Sequence, residues 1–172
     1  MEELMNLCTL WPGRGGADRT GAGGRGGVGE QGRLARAALH FWEEPCVSGE
    51  EGSGTVFFSG CSLGCVFCQN YQISAGHFGR DIPVERLAEI FLELQEQKAN
   101  NINLVTGGHY IPQIVRALDL VRGKLHIPVV YNSSGYETVE ALRMLKGYVD
   151  VYLPDLKYRS PERGARYSHA PD

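Results

Sequence analysis

The chain has 172 residues, 42% of them hydrophobic, and a formal net charge of -3, which suits one domain with its own core. The near-neutral charge argues against a partner held by bulk electrostatics, whether nucleic acid or a membrane surface. No apolar run approaches the roughly 18 residues of a membrane span, the N-terminus has Glu2 and Glu3 and no apolar core of a secretory signal, and five cysteines with three clustered read as the free thiols of a reducing cytoplasm rather than a disulfide framework.

Residues 1–53 read as an irregular, glycine-rich N-terminal segment. Half of residues 13–32 are glycine; such a stretch loses much backbone entropy on ordering and has little side chain to bury. Arg14-Gly15-Gly16 and Arg25-Gly26-Gly27 invite an RNA-binding reading, but no aromatics interleave them and Asp18 and Glu30 lie nearby. Leu34, Ala35, Ala38, Leu39 and Trp42 share one helical face, so a short helix is expected between Gly32 and Trp42.

Residues 54–172 alternate strand and helix. The predicted strands are Thr55–Ser59, Ile102–Thr106, Val129–Asn132 and Val149–Leu153. A helix follows Pro83, with Val84, Leu87, Ala88, Phe91 and Leu94 at helical spacing and the proline in its first turn. A second runs from about Pro112 to Arg122, with Ile114, Val115, Leu118 and Val121 on one side. A third over Glu137–Leu145 is expected to bury Val139, Leu142 and Leu145. Ser160 caps a further helix. Strands separated by helices mean βαβ units and a parallel sheet. A doubly wound sheet and a barrel both fit that pattern. Chemistry-bearing residues follow each predicted strand, however, and a βα barrel builds its active site at the C-terminal ends of its strands. The expected fold is therefore α/β, a partial (β/α) barrel of about four βα units.

After the first of these strands come Cys61, Cys65 and Cys68, in Gly60-Cys61-Ser62-Leu63-Gly64-Cys65-Val66-Phe67-Cys68. Three thiolates so close can hold three corners of a 4Fe-4S cubane. The fourth iron is then free for a substrate or cofactor, much as an open position marks catalytic zinc. The alternative is a structural zinc site, with Cys46 or His77 as fourth ligand. Cys8 and Cys46 otherwise read as inert thiols. Gly107-Gly108-His109, Asn132-Ser133-Ser134-Gly135 and Asp155-Leu156-Lys157 follow the later strands. Each has a plain structural reading too: a turn, satisfied loop backbone, or a surface ion pair worth little.

The spacing C-x3-C-x2-C, with an aromatic before the last cysteine, resembles the signature of radical S-adenosylmethionine (SAM) enzymes. From about Gly54 to the end the chain is similar to the group around pyruvate formate-lyase activating enzyme, especially a poorly characterised branch of it. Gly54-Thr55-Val56-Phe57-Phe58-Ser59-Gly60-Cys61, Cys68-Gln69-Asn70-Tyr71, Asn101-Ile102-Asn103-Leu104-Val105-Thr106, Tyr131-Asn132-Ser133-Ser134-Gly135-Tyr136 and Tyr152-Leu153-Pro154-Asp155-Leu156-Lys157 carry the likeness. The resemblance implies reductive cleavage of SAM to methionine and a 5′-deoxyadenosyl radical, which abstracts a hydrogen atom. Its target in that group is a glycine of a glycyl-radical enzyme, and the electron donor is a low-potential protein such as flavodoxin or ferredoxin.

Carried over by position, Cys61, Cys65 and Cys68 ligate the cluster, Phe67 packs near adenine, and Gly107 and Gly108 approach the methionyl amine. His109 stands where the group often has Glu, and Asn132 and Ser134 are further candidates for cofactor contact. The resemblance identifies no catalytic residue. Trp11 and Gly15 stand where this branch often has cysteines, which speaks against an N-terminal metal site. Such a barrel normally needs roughly 200 or more residues. The sequence reading is therefore of a truncated or split chain, and a non-catalytic cluster-binding remnant is the alternative to an active enzyme.

Overall fold

The computed structural model describes Leu10, Pro12 and residues 31–170. The glycine-rich stretch up to Glu30 and Cys8 lie outside the described residues. Among the described residues six strands make one sheet: β1 (Gly32–His40), β2 (Ser53–Phe58), β3 (Arg80–Ile82), β4 (Ile102–Val105), β5 (Val129–Ser133) and β6 (Val151–Pro154). Their order is β3-β1-β2-β4-β5-β6. From β2 to β6 the pairing is parallel, while β1 lies antiparallel between β2 and β3. The main helices are α3 (Val84–Glu96), α4 (Ile111–Leu120), α5 (Val139–Met144) and α6 (Pro161–Ser168). Two single turns, α1 (Pro45–Ser48) and α2 (Tyr71–Ser74), flank the cysteine strand. No helix among the described residues is long and apolar enough to cross a membrane.

Strand alternation divides the sheet into two faces. Val56 and Phe58 of β2, Ile102 and Leu104 of β4, and Val129 and Tyr131 of β5 join one core with Leu87, Phe91 and Leu94 of α3, Ile114 and Leu118 of α4, and Ala141 and Leu145 of α5. Burying each large side chain of this set contributes on the order of 1.5–3 kcal/mol. Phe57, Val105 and Asn132, opposite to them in the alternation, line a cavity on the other side, which Phe58 also reaches at the end of β2. One face thus anchors the helices and the other carries the site, as in a partial βα barrel.

Two expectations are corrected. Residues 32–40 form strand β1, where a helix was expected. Pairing jumps from Leu34↔Phe58 to Arg36↔Phe57, so a bulge adds one residue to β1. The core-facing residues are therefore Leu34, Ala37 and Leu39, and the three-residue step across the bulge imitates helical spacing. In α5, Val139 and Leu142 are exposed, and Ala141 joins Leu145 in the core. The helix starts later than expected because Thr138 caps it, its side chain accepting from Ala141 N. The expected helix start at Ser160 is present, with its side chain accepting from Arg163 N.

Candidate functional site

The cysteines occupy the loop that leaves β2 at the C-terminal end of the parallel sheet. Ser59 ends the strand by donating its N–H to Arg33 O at 2.9 Å, and Gly60 N donates to Ile73 O at 3.0 Å. Gly60 takes φ 86°, a left-handed turn that glycine enters without steric cost. The loop then folds back on itself, with Cys68 N donating to Cys65 O at 3.1 Å. Cys68 Sγ lies 3.2 Å from Ser74 Oγ of α2. Leu63 N donates to Cys61 Sγ at 3.4 Å.

All three cysteines are free thiols, and all three line a cavity of about 620 Å³. This lies within the range of small-molecule sites, about 300–1,000 Å³. Phe57, Phe58, Leu63, Phe67, Ile73 and Val105 give it apolar wall. Its polar wall holds Glu43 and Glu44 after β1, Thr106 after β4, Asn132, Ser133 and Ser134 at the end of β5, and Asp155 and Lys157 after β6. Thr106 has φ 57°, a conformation that costs a non-glycine residue on the order of 1 kcal/mol or more and clusters at functional sites.

The electrostatics of this wall are set by burial and by pairing. Burial pushes the Cys61 thiol up to about 11, against a weaker pull from the Leu63 N–H. A thiol so placed stays protonated near neutral pH, and coordination to a metal would deprotonate it. Burial also raises the Glu43 carboxyl above its ordinary range, and Asn132 Nδ2 donates to its Oε2 at 3.4 Å. Lys157 Nζ donates to Asp155 Oδ2 at 2.6 Å. Desolvation pulls this amine down, but the Asp155 contact and the nearby Cys65 and Cys61 outweigh it and hold it above its ordinary value.

Of the sequence candidates, Cys61, Cys65, Cys68, Phe67, Asn132 and Ser134 meet in this cavity. Gly107, Gly108 and His109 lie outside its lining. His109 is buried, and its Nε2 donates to the Ser59 carbonyl at 3.0 Å. It therefore braces the backbone just ahead of Cys61. A Cβ on Gly107 would lie 2.7 Å from Ile114 Cδ1, and one on Gly108 2.9 Å from Glu137 Oε1, so side chains crowd both positions. Cys46 and His77 also lie outside the lining.

Glu43, Thr106 and Ser168 were not singled out from the sequence. Glu43 sits in a stretch read as irregular, and nothing local marks it. Ser168 Oγ donates to Cys65 Sγ at 2.8 Å across 103 positions of chain, a contact with no local signature.

Among the described residues no three His, Cys, Asp or Glu converge on a single ion. A cubane does not ask for such convergence, because each thiolate binds its own iron. Three thiols sharing one cavity with apolar, anionic, cationic and amide groups fit a cluster together with a zwitterionic cofactor. A model of the Radical SAM superfamily matches residues 55–170. An uncharacterized protein of Methanocaldococcus jannaschii is 40% identical over 138 residues, which span 76% of this chain and 39% of that protein. The chain thus spans well under half the length of that relative.

Proposed function

The chain belongs to the radical SAM superfamily, and from that premise we propose that it is an iron–sulfur enzyme that cleaves SAM reductively and abstracts a hydrogen atom with the 5′-deoxyadenosyl radical. The observation that carries this reading is the meeting of Cys61, Cys65 and Cys68 with the C-terminal ends of β4, β5 and β6 in one cavity. A 4Fe-4S cluster, when bound, supplies the electron that breaks the sulfonium bond to the 5′ carbon. The cofactor carries the hard chemistry and the chain binds, orients and shields it.

Each wall of the cavity has a task in this reading. Cys61, Cys65 and Cys68 hold the cluster. Glu43 and Glu44 offer carboxylates to an ammonium group, and Lys157 offers a cation to a carboxylate. Asn132, Ser133 and Ser134 offer hydrogen bonds to a ribose or an amino-acid group. Phe67 gives an aromatic edge for adenine. Phe57, Phe58, Ile73 and Val105 exclude water, which protects a reactive intermediate. His109 supports the loop from outside through the Ser59 carbonyl.

By likeness to the pyruvate formate-lyase activating group, the substrate we favour is a protein glycine. Its product is a glycyl radical, and a flavodoxin or ferredoxin supplies the electron. The test is an anaerobic assay of the iron- and sulfide-loaded chain with dithionite and SAM. Equal amounts of 5′-deoxyadenosine and methionine are expected, and none from Cys65→Ala. A loaded cluster with no 5′-deoxyadenosine would sink the catalytic reading in favour of a cluster-binding protein. A doublet electron paramagnetic resonance signal in an added glycyl-radical enzyme tests the substrate; its absence with SAM cleavage intact would overturn that choice alone.

A further inference from the structure

The cysteine loop rests on the last turn of α6. Gly64 N donates to Ser168 O at 3.3 Å, and Val66 N donates to Tyr167 O at 2.9 Å. Between these two backbone bonds, Ser168 Oγ donates to Cys65 Sγ at 2.8 Å. Tyr158 OH lies 2.6 Å from Ser168 Oγ. A hydroxyl has one proton and two lone pairs. With the Ser168 proton on sulfur, Tyr158 is the donor of the second bond. The result is a directed chain from Tyr158 through Ser168 to Cys65. Ser168 is fully buried, and the Tyr158 ring meets Phe67 edge-on with centroids 6.2 Å apart. Neither hydroxyl is a loose surface group.

The other two cysteines are met from nearby in the chain, Cys61 by Leu63 N and Cys68 by Ser74 Oγ. Only the contact to Cys65 reaches in from a distant helix among these three. Hydrogen bonds to cluster sulfurs withdraw negative charge, favour the reduced state and raise the reduction potential. We propose that Ser168, oriented by Tyr158, is a positioning residue that fixes Cys65 and raises the potential of the cluster it helps to hold. The inference rests on the reading of Cys65 as a cluster ligand. Its consequence is that α6, far from the cysteines in sequence, sets how readily the cluster accepts an electron from its donor.

The experiment compares wild type, Ser168→Ala, Tyr158→Phe and the double variant after anaerobic loading. Iron and sulfide per chain report cluster uptake, and a redox titration followed by electron paramagnetic resonance reports the midpoint potential. Both single variants are expected to load fully and to titrate at more negative potential, Ser168→Ala further than Tyr158→Phe. The double variant is expected to match Ser168→Ala, because Tyr158 acts through Ser168. Fully loaded variants with the wild-type potential would overturn the inference and leave cluster ligation standing. A wild-type chain that takes up no cluster would overturn the ligand reading and this inference with it. If Ser168→Ala does not load, Tyr158→Phe decides, and an unchanged potential there overturns the proposal.

Discussion

Gly107→Ala separates packing from cofactor approach. Gly107 has φ −82°, so alanine fits its backbone, and with free space around it the change would stabilise by about 0.4–1 kcal/mol through the unfolded state. The space is not free: the added methyl would lie 2.7 Å from Ile114 Cδ1 and 3.3 Å from Phe58 Cε2. Ile114 and Phe58 are fully buried, and overpacking a filled core costs about 1–3 kcal/mol. The net expectation is a loss of roughly 0–2.5 kcal/mol. Ile114→Val removes the offending Cδ1 and alone costs about 0.5–1.5 kcal/mol. In that background Gly107→Ala is expected to be neutral or mildly stabilising. Urea unfolding of the four proteins measures the cycle, and a coupling of about 1 kcal/mol or more in the relieving direction is expected. Strict additivity would refute the packing account of Gly107.

Three further outcomes are expected. His109→Ala removes the bond to the buried Ser59 carbonyl and should cost about 1–3 kcal/mol; urea unfolding and iron content after loading would show lower stability and weaker cluster uptake, because the brace lies just ahead of Cys61. Burial holds the Glu137 carboxyl above its ordinary range, against bonds from Tyr131 OH and Ser133 Oγ that pull it down. The native state therefore keeps a proton that the unfolded chain releases near about pH 4.3, so this group's stabilising contribution is full below that value and is lost as pH rises through the folded one. The stability of Glu137→Gln relative to wild type should accordingly rise with pH from about 4.3 and then level off, and a flat difference across a pH series of urea titrations would contradict the shift. Thr138→Ala removes the cap on Ala141 N and should lower stability by about 1 kcal/mol, read as a lower midpoint of thermal unfolding.

The parallel strands were legible because each is a short apolar run between helical stripes. The α3 stripe Leu87, Ala88, Phe91 and Leu94 is buried as its spacing requires. The bulge in β1 was not legible: it shifts the core face from Leu34 to Ala37 and Leu39, and the resulting spacing reads as a helix. β3 is three residues long, too short for alternation to register. In the site, the three cysteines were visible because their spacing is local. Glu43, which reaches Asn132 across the sheet, and Ser168 on Cys65 were not, because such contacts depend on tertiary packing alone. His109 is a candidate for cofactor contact by the resemblance alone; the chain turns into a 3-10 helix at Gly108–Tyr110 and its imidazole meets the Ser59 carbonyl, a contact with no local signature in the sequence.

Cys61, Cys65 and Cys68 are proposed to hold a cluster whose open iron takes SAM. Anaerobic loading with iron and sulfide, reduction, and electron paramagnetic resonance with and without SAM test it directly. A 4Fe-4S signal that changes on adding SAM, and is lost in Cys61→Ala, is expected. A cluster signal indifferent to SAM, or a colourless chain that carries zinc, would contradict it.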